Sequence, residues 1–368
     1  METGPLMKLG RYEVKEKIAA GGMATVYRAI QVGVGGFRSV VAIKILHPHL
    51  ASEDHFKKMF LDEARIGALL THRCLLNVLD YGEEEGVSYI VTEFFPSISL
   101  EDLAEKARKI PLHEALFILS EAAEGLEALH TARDIDGKKK LGLVHRDISP
   151  HNILIGHDGR VKIIDYGIVK REDPTERTQA GLVKGKVRYM APEQACGNPV
   201  MPATDLYSLA LVFLRCVAGT KPHGSGTTAE IMARARSGLA LEAQTKRVKL
   251  PGAVRTILEK LLDPNPQQRH RSARKLAGEL RKLMASEAPS YDLETFRLWV
   301  EKHIKKKPGG GRATTAGKNN GASEILQGTG LVRVPPSTDG IHPRWVFYGL
   351  ATMFGVALLA HLLTSFFA

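Results

Sequence analysis

The stretch Val144–Leu154, VHRDISPHNIL, carries the most specific pattern in this chain. Asp147 and Asn152 stand five residues apart in a loop between apolar runs, and Asp165 follows directly after the strand-like run VKII. Two carboxylates and an amide oxygen suit Mg²⁺, a cation that prefers oxygen ligands. A carboxylate that does not bind the metal can accept a hydroxyl proton. The spacing therefore indicates a magnesium site beside a general base.

Two segments upstream carry groups that can bind phosphate. The run IAAGGMATVY, Ile18–Tyr27, lies between strand-like segments, and its Gly21–Gly22 pair lets backbone N–H groups approach a phosphate. Alone, this pair is a weak signal, because it can simply be a tight turn. Lys44 ends the apolar strand VAIK, where its ammonium needs an anion or water. Glu63, in a predicted helix 19 residues later, can supply that anion, although both groups can also be unrelated surface charges.

The order of predicted elements indicates an α+β fold. The first 95 residues read as short strands around one helix, HFKKMFLDEARIGALL, whereas helical patterns dominate from Ser99 onward. The longest of these patterns are LHEALFILSEAAEGLEALH and TDLYSLALVFLRCVAG. We therefore expect a small β-rich lobe followed by a larger helical lobe.

Taken together, residues 10–285 resemble a bacterial Ser/Thr protein kinase of the eukaryotic-like, Hanks type. The motifs appear in the order of that family: GGMATVY, VAIK, HRD-x-x-x-x-N, DYG in place of DFG, and YMAPEQ. The resemblance implies the bilobal kinase fold, with an N-lobe at about residues 10–95 and a C-lobe at about 96–285. It also implies an enzyme that transfers the γ-phosphate of ATP, with Mg²⁺, to Ser/Thr hydroxyls of protein substrates.

The resemblance assigns roles to individual residues. Lys44 would hold the α- and β-phosphates and be oriented by Glu63. Asp147 would position the substrate hydroxyl and accept its proton, while Asn152 and Asp165 would bind Mg²⁺. The nucleotide would contact the glycine-rich loop, the lysine strand, the hinge with its gatekeeper Thr92, and the floor of the cleft: Ile18, Ala19, Gly21, Gly22, Met23, Val26, Ala42, Lys44, Thr92, Glu93, Phe95 and Leu154. In the helical lobe, Arg269 would pair with Glu193.

Four further positions depart from the family pattern. Ala19 and Ala24 replace the first and third glycines of the loop, a change of one methyl group each. Ser149 stands where Ser/Thr kinases carry a lysine, and loss of that cation is worth roughly a few kcal/mol of transition-state stabilisation. Lys186 is a candidate to supply the missing charge, because it stands where the family has a threonine. The absent lysine weakens the distinction from tyrosine kinases, but YMAPEQ favours Ser/Thr.

Regulation is a hypothesis at this point. Thr175 and Thr178 lie between Asp165 and Glu193, and a phosphate on either could dock on Arg146 and order the segment. Both threonines are equally explained as ordinary polar loop residues.

Two other functions compete with an active kinase. A pseudokinase scaffold would bind nucleotide or a partner without catalysis. Such proteins commonly lose at least one of the five catalytic and metal-binding residues that this chain retains: Lys44, Glu63, Asp147, Asn152 and Asp165. A small-molecule phosphotransferase of related fold is opposed by the HRD arginine and the APE motif, which build a protein-substrate groove.

The C-terminal part has a different composition. Residues 286–343 read as a basic linker rich in Gly, Pro, Ser and Thr, and residues 344–368 as a transmembrane tail anchor. The 24 residues from Trp345 to Ala368 carry no Asp, Glu, Lys or Arg and would span about 36 Å as a helix, enough to cross a bilayer. The basic flank predicts a single pass through the cytoplasmic membrane with the kinase in the cytoplasm. A buried helix is the alternative, and a homodimer through this segment stays open.

Charge and cysteine content exclude other classes. Lys and Arg number 51 against 40 Asp and Glu, a net charge of +11, and eight basic residues against two acidic ones fall within residues 302–344. This excess forms no nucleic-acid recognition element, so no nucleic-acid partner is expected. The three cysteines are far apart and show no CxxC spacing, which argues against a zinc site or disulfide framework.

Overall fold

The computed structural model describes residues 6–166, 186–238 and 248–304, all within one compact unit that spans residues 1–314. Its N-terminal part is an antiparallel sheet with strand order β1-β2-β3-β4-β6-β5. The strands are β1 Met7–Leu9, β2 Tyr12–Ala20, β3 Ala24–Val32, β4 Arg38–Leu46, β5 Val78–Glu84 and β6 Val87–Glu93. A short 3-10 turn, Val34–Gly36, and two helices, α1 Pro48–Ala51 and α2 Asp54–Leu69, complete this lobe.

Strand β4 is central because both of its faces are buried. Val41 and Ile43 pack into a cluster with Val14 and Val91 on one face. On the other face, Leu46 packs against Phe60 of α2. Helix α2 is thereby fixed against the sheet at the height of Lys44.

The second lobe is mainly helical. Its helices are α3 Leu100–Ala107, α4 Leu112–His130, α5 Pro192–Cys196, α6 Pro202–Ala218, α7 Thr228–Ser237, α8 Gly252–Leu261, α9 Ala273–Glu287 and α10 Leu293–Ile304. A small antiparallel sheet joins β7 Ser97–Ser99, β8 Ile153–Gly156 and β9 Val161–Ile163 in that order. Short 3-10 turns lie at Pro150–Asn152, Lys186–Tyr189 and Pro266–Gln268. The predicted bilobal α+β kinase fold is confirmed.

Helix α6 forms the centre of this lobe, since every residue from Ala203 to Ala218 is buried. A buried ion pair lies beside the first turn of this helix, where Arg269 Nη1 also donates to Ala203 O at 3.2 Å. Arg269, fully buried, donates to both carboxylate oxygens of Glu193 at 2.7 and 2.9 Å, the pair expected from the sequence. Burial alone would raise the pKa of Glu193, but the Arg269 guanidinium holds it below its ordinary value.

The structure differs from the sequence prediction after residue 285. The linker was expected from residue 286, but α10 forms within it and buries Phe296 and Val300, one helical turn apart, in the core of the second lobe. Phe117 of α4 lies 4.7 Å from the Phe296 ring, measured between centroids. This apolar stripe supports a helix even though Pro289 and polar residues precede it.

None of the helices within residues 6–166, 186–238 and 248–304 has the length and apolar character needed to cross a bilayer. The predicted anchor at residues 344–368 lies outside the described residues.

Candidate active site

Lys44 lies at the centre of the site. Its Nζ donates to Glu63 Oε1 at 2.6 Å and to Asp165 Oδ1 at 2.8 Å, so β4, α2 and the segment after β9 meet at one ammonium group. Burial by itself would lower the pKa of Lys44, but the charges of Asp165 and Glu63 raise it above its ordinary value. The ammonium therefore stays charged and can bind phosphate oxygens.

The strand register places the expected nucleotide-contacting residues around Lys44. Val26 of β3 is directly opposite Lys44, and Ala42 is directly opposite Thr92 of β6. Directly opposed residues share a face, as do residues two apart on one strand. Val26, Ala42, Lys44 and Thr92 therefore line the same face of the sheet.

The glycine-rich loop joins β2 to β3 as a tight turn. Gly21 N donates to Ala24 O at 2.9 Å, and Met23 O accepts from His47 N at 2.9 Å. Ala24 is 5% exposed and packs with Leu46 and Phe60, so the core accommodates its methyl group. Ile18, Ala19, Gly21 and Gly22 are exposed, which leaves the loop accessible to a ligand.

Asp205, on α6, holds the loop that carries Asp147. Its two carboxylate oxygens accept from His145 N and Arg146 N, both at 2.8 Å, and His130 Nε2 lies 2.7 Å from Oδ2. Arg146 adopts φ of 65°, a conformation that costs an L-residue roughly 1 kcal/mol and persists only where the surroundings impose it. The buried carboxylate supplies that constraint.

His145 connects the same loop to the strand before Asp165. Its Nδ1 accepts from Asp147 N at 3.2 Å, so the neutral ring carries its proton on Nε2, which donates to Ile164 O at 3.0 Å. Burial lowers the pKa of His145, which favours this neutral form. The loop and the Asp165 segment are thus held together by a ring that carries no charge.

Asn152 and Asp165 are brought side by side by a backbone hydrogen bond. Ile164 N donates to Asn152 O at 3.0 Å, and Asn152 Nδ2 donates to Asp147 O at 2.7 Å. Because its amide nitrogen is engaged, the amide oxygen is the atom that Asn152 can offer to a metal. Together with the half-exposed carboxylate of Asp165, this donor set fits Mg²⁺, which keeps several water ligands.

A lysine that the sequence analysis missed lies beneath the hinge. Lys162 of β9, 2% exposed, donates from Nζ to Glu93 Oε1 and to Leu75 O, each at 2.9 Å. The same Glu93 oxygen accepts from Asn77 N at 2.8 Å, and the Phe95 ring centroid lies 5.5 Å from the ammonium. The sequence signal that could have identified Lys162 is a lysine inside the apolar run VKII, because a buried ammonium needs a hydrogen-bond acceptor. Next to it, Leu154 pairs with Lys162 across β8 and β9.

Tyr166, the middle residue of DYG, is 5% exposed and donates from its hydroxyl to Leu76 O at 3.0 Å. Burial raises the pKa of this hydroxyl, so it remains a donor. The ring lies beside Gly67 of α2, where a Cβ would come within 3.7 Å of Tyr166 Cε2 and would overlap the Val78 side chain.

The remaining predicted residues are only partly described. Ser149 is 3% exposed and precedes the 3-10 turn Pro150–Asn152. Lys186 begins the 3-10 turn that leads to α5, but its side chain lies outside the described part of the chain. Thr175 and Thr178 also lie outside the described residues.

Comparison with known proteins gives the same assignment as the geometry. A family model of the protein kinase domain matches residues 12–279. This chain is 35% identical over 301 residues to the serine/threonine-protein kinase PknA of Mycobacterium tuberculosis, which covers 78% of this chain and 64% of that protein. It is 30% identical to the serine/threonine-protein kinase PrkC of Bacillus subtilis, over 81% of this chain and 44% of that protein. It is also 34% identical to the tyrosine-protein kinase MasK of Myxococcus xanthus, over 75% of this chain and 43% of that one.

The chain thus spans about 43% to 64% of the length of these three relatives. Among solved structures, the Mycobacterium tuberculosis PknI kinase domain matches with a TM-score of 0.53 and 25% identity, covering 76% of this chain and 99% of that domain. The family match covers most of this chain and includes every residue that converges on Lys44. The chain therefore belongs to the protein kinase domain family.

Proposed function

We propose that this chain transfers the γ-phosphate of ATP to Ser/Thr hydroxyls of protein substrates. The observation that carries the proposal is the contact of Lys44 Nζ with both Glu63 and Asp165, because it joins a phosphate-binding cation to a metal-binding carboxylate. Two relatives named as serine/threonine kinases support the acceptor class. The relative named as a tyrosine kinase makes the acceptor residue the point to test.

Each residue contributes one physical function. The Lys44 ammonium binds the oxygens of the α- and β-phosphates, and the exposed backbone of Gly21 and Gly22 lies open to the phosphates. Asp147 accepts the proton of the substrate hydroxyl. Asn152 and Asp165 would hold Mg²⁺, which would neutralise phosphate charge when bound.

Phosphotransfer with labelled ATP and Mg²⁺ to a generic protein substrate tests the proposal. We expect Asp147→Asn and Lys44→Met to lower the rate by on the order of 100-fold or more. Nucleotide binding, measured in parallel by fluorescence, distinguishes an active kinase from a pseudokinase scaffold. Bound nucleotide without transfer above the Asp147→Asn level would show that the chain is a scaffold. Ser149, in place of a family lysine, is the specific observation in favour of that second function.

The proposal includes a membrane tether at residues 345–368, with the kinase on the cytoplasmic side. The 24 residues from Trp345 to Ala368 carry no Asp, Glu, Lys or Arg, and as a helix they would be long enough to cross a bilayer. Contact between two copies through Gly349 and Gly355 belongs to the same proposal. The full chain should remain with membranes after carbonate extraction, whereas a chain ending at Arg344 should be released. Release of both would refute the tether, and crosslinking of the membrane-bound chain tests the dimer.

A further inference from the structure

Helix α7 packs beside the elements that lead into the catalytic loop. It contacts both the 3-10 turn Lys186–Tyr189 and α5. Helix α5 in turn touches the catalytic loop, because Gln194 Nε2 donates to Arg146 O at 2.6 Å. Contacts through the 3-10 turn and α5 therefore link this side of α7 to the loop that carries Asp147.

Four basic side chains lie on this side of the lobe, and we call them the cationic surface: Arg188, Lys221, Arg234 and Arg236. The three arginines are held by neutral acceptors. Arg188 Nη1 donates to Gly224 O, Arg234 Nη2 donates to Ser225 O at 2.7 Å, and Arg236 Nε donates to Ala195 O at 3.1 Å. Backbone carbonyls fix these guanidinium groups in position without neutralising their charge.

Two carboxylates near these cations, Glu101 and Glu230, lie in the described part of the chain. Glu101, 4% exposed, accepts from the buried Arg215 at 3.1 Å and also lies 3.6 Å from Lys221 Nζ. Glu230 Oε2 accepts from Thr227 N at 2.8 Å and so caps α7. Glu101 is thus shared by Lys221 and Arg215, and among the described residues named here the basic side chains outnumber the carboxylates.

A buried imidazole beside these cations lacks a partner. His223 is 6% exposed and adopts φ of 58°, and its Nε2 has no hydrogen-bond partner within the described part of the chain. Burial, together with the charges of Arg234 and Arg188, lowers the pKa of His223 to about 4, so the ring is neutral at pH 7. A buried ring nitrogen without a partner costs free energy, and the neutral ring leaves the positive charge on this side of the lobe to the arginines and Lys221.

We propose that the cationic surface binds Asp and Glu side chains of the protein substrate close to the phosphoacceptor hydroxyl, an inference that rests on the proposed kinase function. Arginine matches carboxylates in geometry as well as in charge, because its planar fork can donate two parallel hydrogen bonds. The excess charge would also attract acidic substrates before contact and repel basic ones. This assigns the substrate class as acidic segments around a Ser or Thr.

Matched peptides phosphorylated by the full chain test the inference. Three peptides share one Ser or Thr acceptor and differ only in their flanks, which carry Asp/Glu, Asn/Gln or Lys/Arg. We expect kcat/KM for the acidic peptide to exceed that for the neutral one by about 10-fold, and the advantage to shrink as salt is raised. In the double variant Arg188→Gln/Arg234→Gln, kcat/KM for the acidic peptide should fall by about 5- to 10-fold, while kcat/KM for the neutral peptide should change by less than about 2-fold.

Two further variants keep the test decisive. Arg234→Gln alone changes an exposed position on α7, so the fold is not at risk, and it should lose about 3-fold on the acidic peptide. Arg274→Gln is the matched control, because Arg274 on α9 is also exposed and belongs to a different surface. It should leave the peptide preference unchanged.

Binding of the fluorescent acidic peptide, followed by anisotropy, separates failure of the surface from failure of catalysis. Binding that depends on Arg188 and Arg234 without any phosphorylation would refute the kinase function and leave the surface standing. Equal kcat/KM for acidic and neutral peptides, or a preference unchanged in the double variant, would overturn the inference. So would acidic-peptide binding that is unaffected by both substitutions.

Discussion

Gly67 of α2 lies against Val78 of β5 so closely that a methyl group on its Cα would overlap Val78 Cγ2 and stand 3.3 Å from Val78 Cβ. The Tyr166 ring lies beside the same glycine, and its hydroxyl donates to Leu76 O at 3.0 Å. Helix α2 carries Glu63 one turn earlier, so this close approach fixes the distance between Glu63 and Lys44.

Gly67→Ala should therefore destabilise the protein, although alanine is about 1 kcal/mol better than glycine inside a helix. Overpacking of a filled site costs about 1–3 kcal/mol, which exceeds the gain. Gly278→Ala is the matched control, since nothing lies within 4 Å of a Cβ at that position in α9. It should stabilise by about 0.5–1 kcal/mol. Urea unfolding of both variants measures the signs, and a more stable Gly67→Ala would contradict the packing account.

Lys162→Met should raise KM for ATP by about 5- to 10-fold while kcat changes less than about 2-fold. The substitution removes the cation that holds Glu93 at the hinge, so the carboxylate keeps the Asn77 N–H donor but loses its counter-charge. Steady-state kinetics at varied ATP give both constants. Lys57→Met, which removes a surface ion pair with Glu83, should change neither. A fall in kcat at constant KM would contradict a role of Lys162 in ATP binding through Glu93.

Lys186→Met should lower kcat by on the order of 100-fold if its ammonium replaces the family lysine that Ser149 lacks. Lys186→Arg keeps the charge and should retain most of the rate. Adding Ser149→Lys to Lys186→Met should restore at least about 10-fold, because a cation returns to the catalytic loop. Single-turnover rates measure the chemical step. Unchanged turnover in Lys186→Met would exclude this compensation.

Glu193→Gln should destabilise the second lobe by about 3–5 kcal/mol at pH 7, because it leaves the buried Arg269 guanidinium without a counter-charge. The pKa of Glu193 is lower in the folded protein than its ordinary value of 4.5, so the unfolded chain binds more protons between those two values. The stabilisation is therefore complete above about pH 4.5 and is lost as the pH falls through the folded-state pKa.

Guanidinium unfolding at a series of pH values should accordingly show the difference between wild type and Glu193→Gln shrinking on acidification. Glu294→Gln, which breaks an exposed pair with Arg297, should leave the free energy of unfolding nearly unchanged at every pH, because solvent screens that pair. A constant difference across the pH range would contradict the assigned ionisation.

The sequence predicted those features that motifs and periodicity encode. Lys44, Asp147, Asn152 and Asp165 stand in motifs whose order identifies the family, and α4 follows the printed helical pattern at Leu112–His130. These inferences rest on residues that are close together in sequence or separated by a family-specific spacing.

Other features depend on contacts between distant segments. Lys162 and Glu93 are 69 residues apart, and no local pattern says which carboxylate a buried lysine will find. The overlap of Gly67 with Val78 is likewise a property of the packed sheet and helix. The sequence did not reveal helix α10 because only Phe296 and Val300 of this helix are fully buried, while Trp299 and Ile304 pack against the core with part of their surface exposed.

Phosphoamino-acid analysis of a protein substrate phosphorylated by the full chain tests the central claim most directly. A mixed substrate that exposes Ser, Thr and Tyr is labelled with ATP and Mg²⁺, hydrolysed and resolved into its phosphoamino acids. We predict phosphoserine and phosphothreonine that disappear in Asp147→Asn. Label found on tyrosine alone, or label that persists unchanged in Asp147→Asn, would contradict the account.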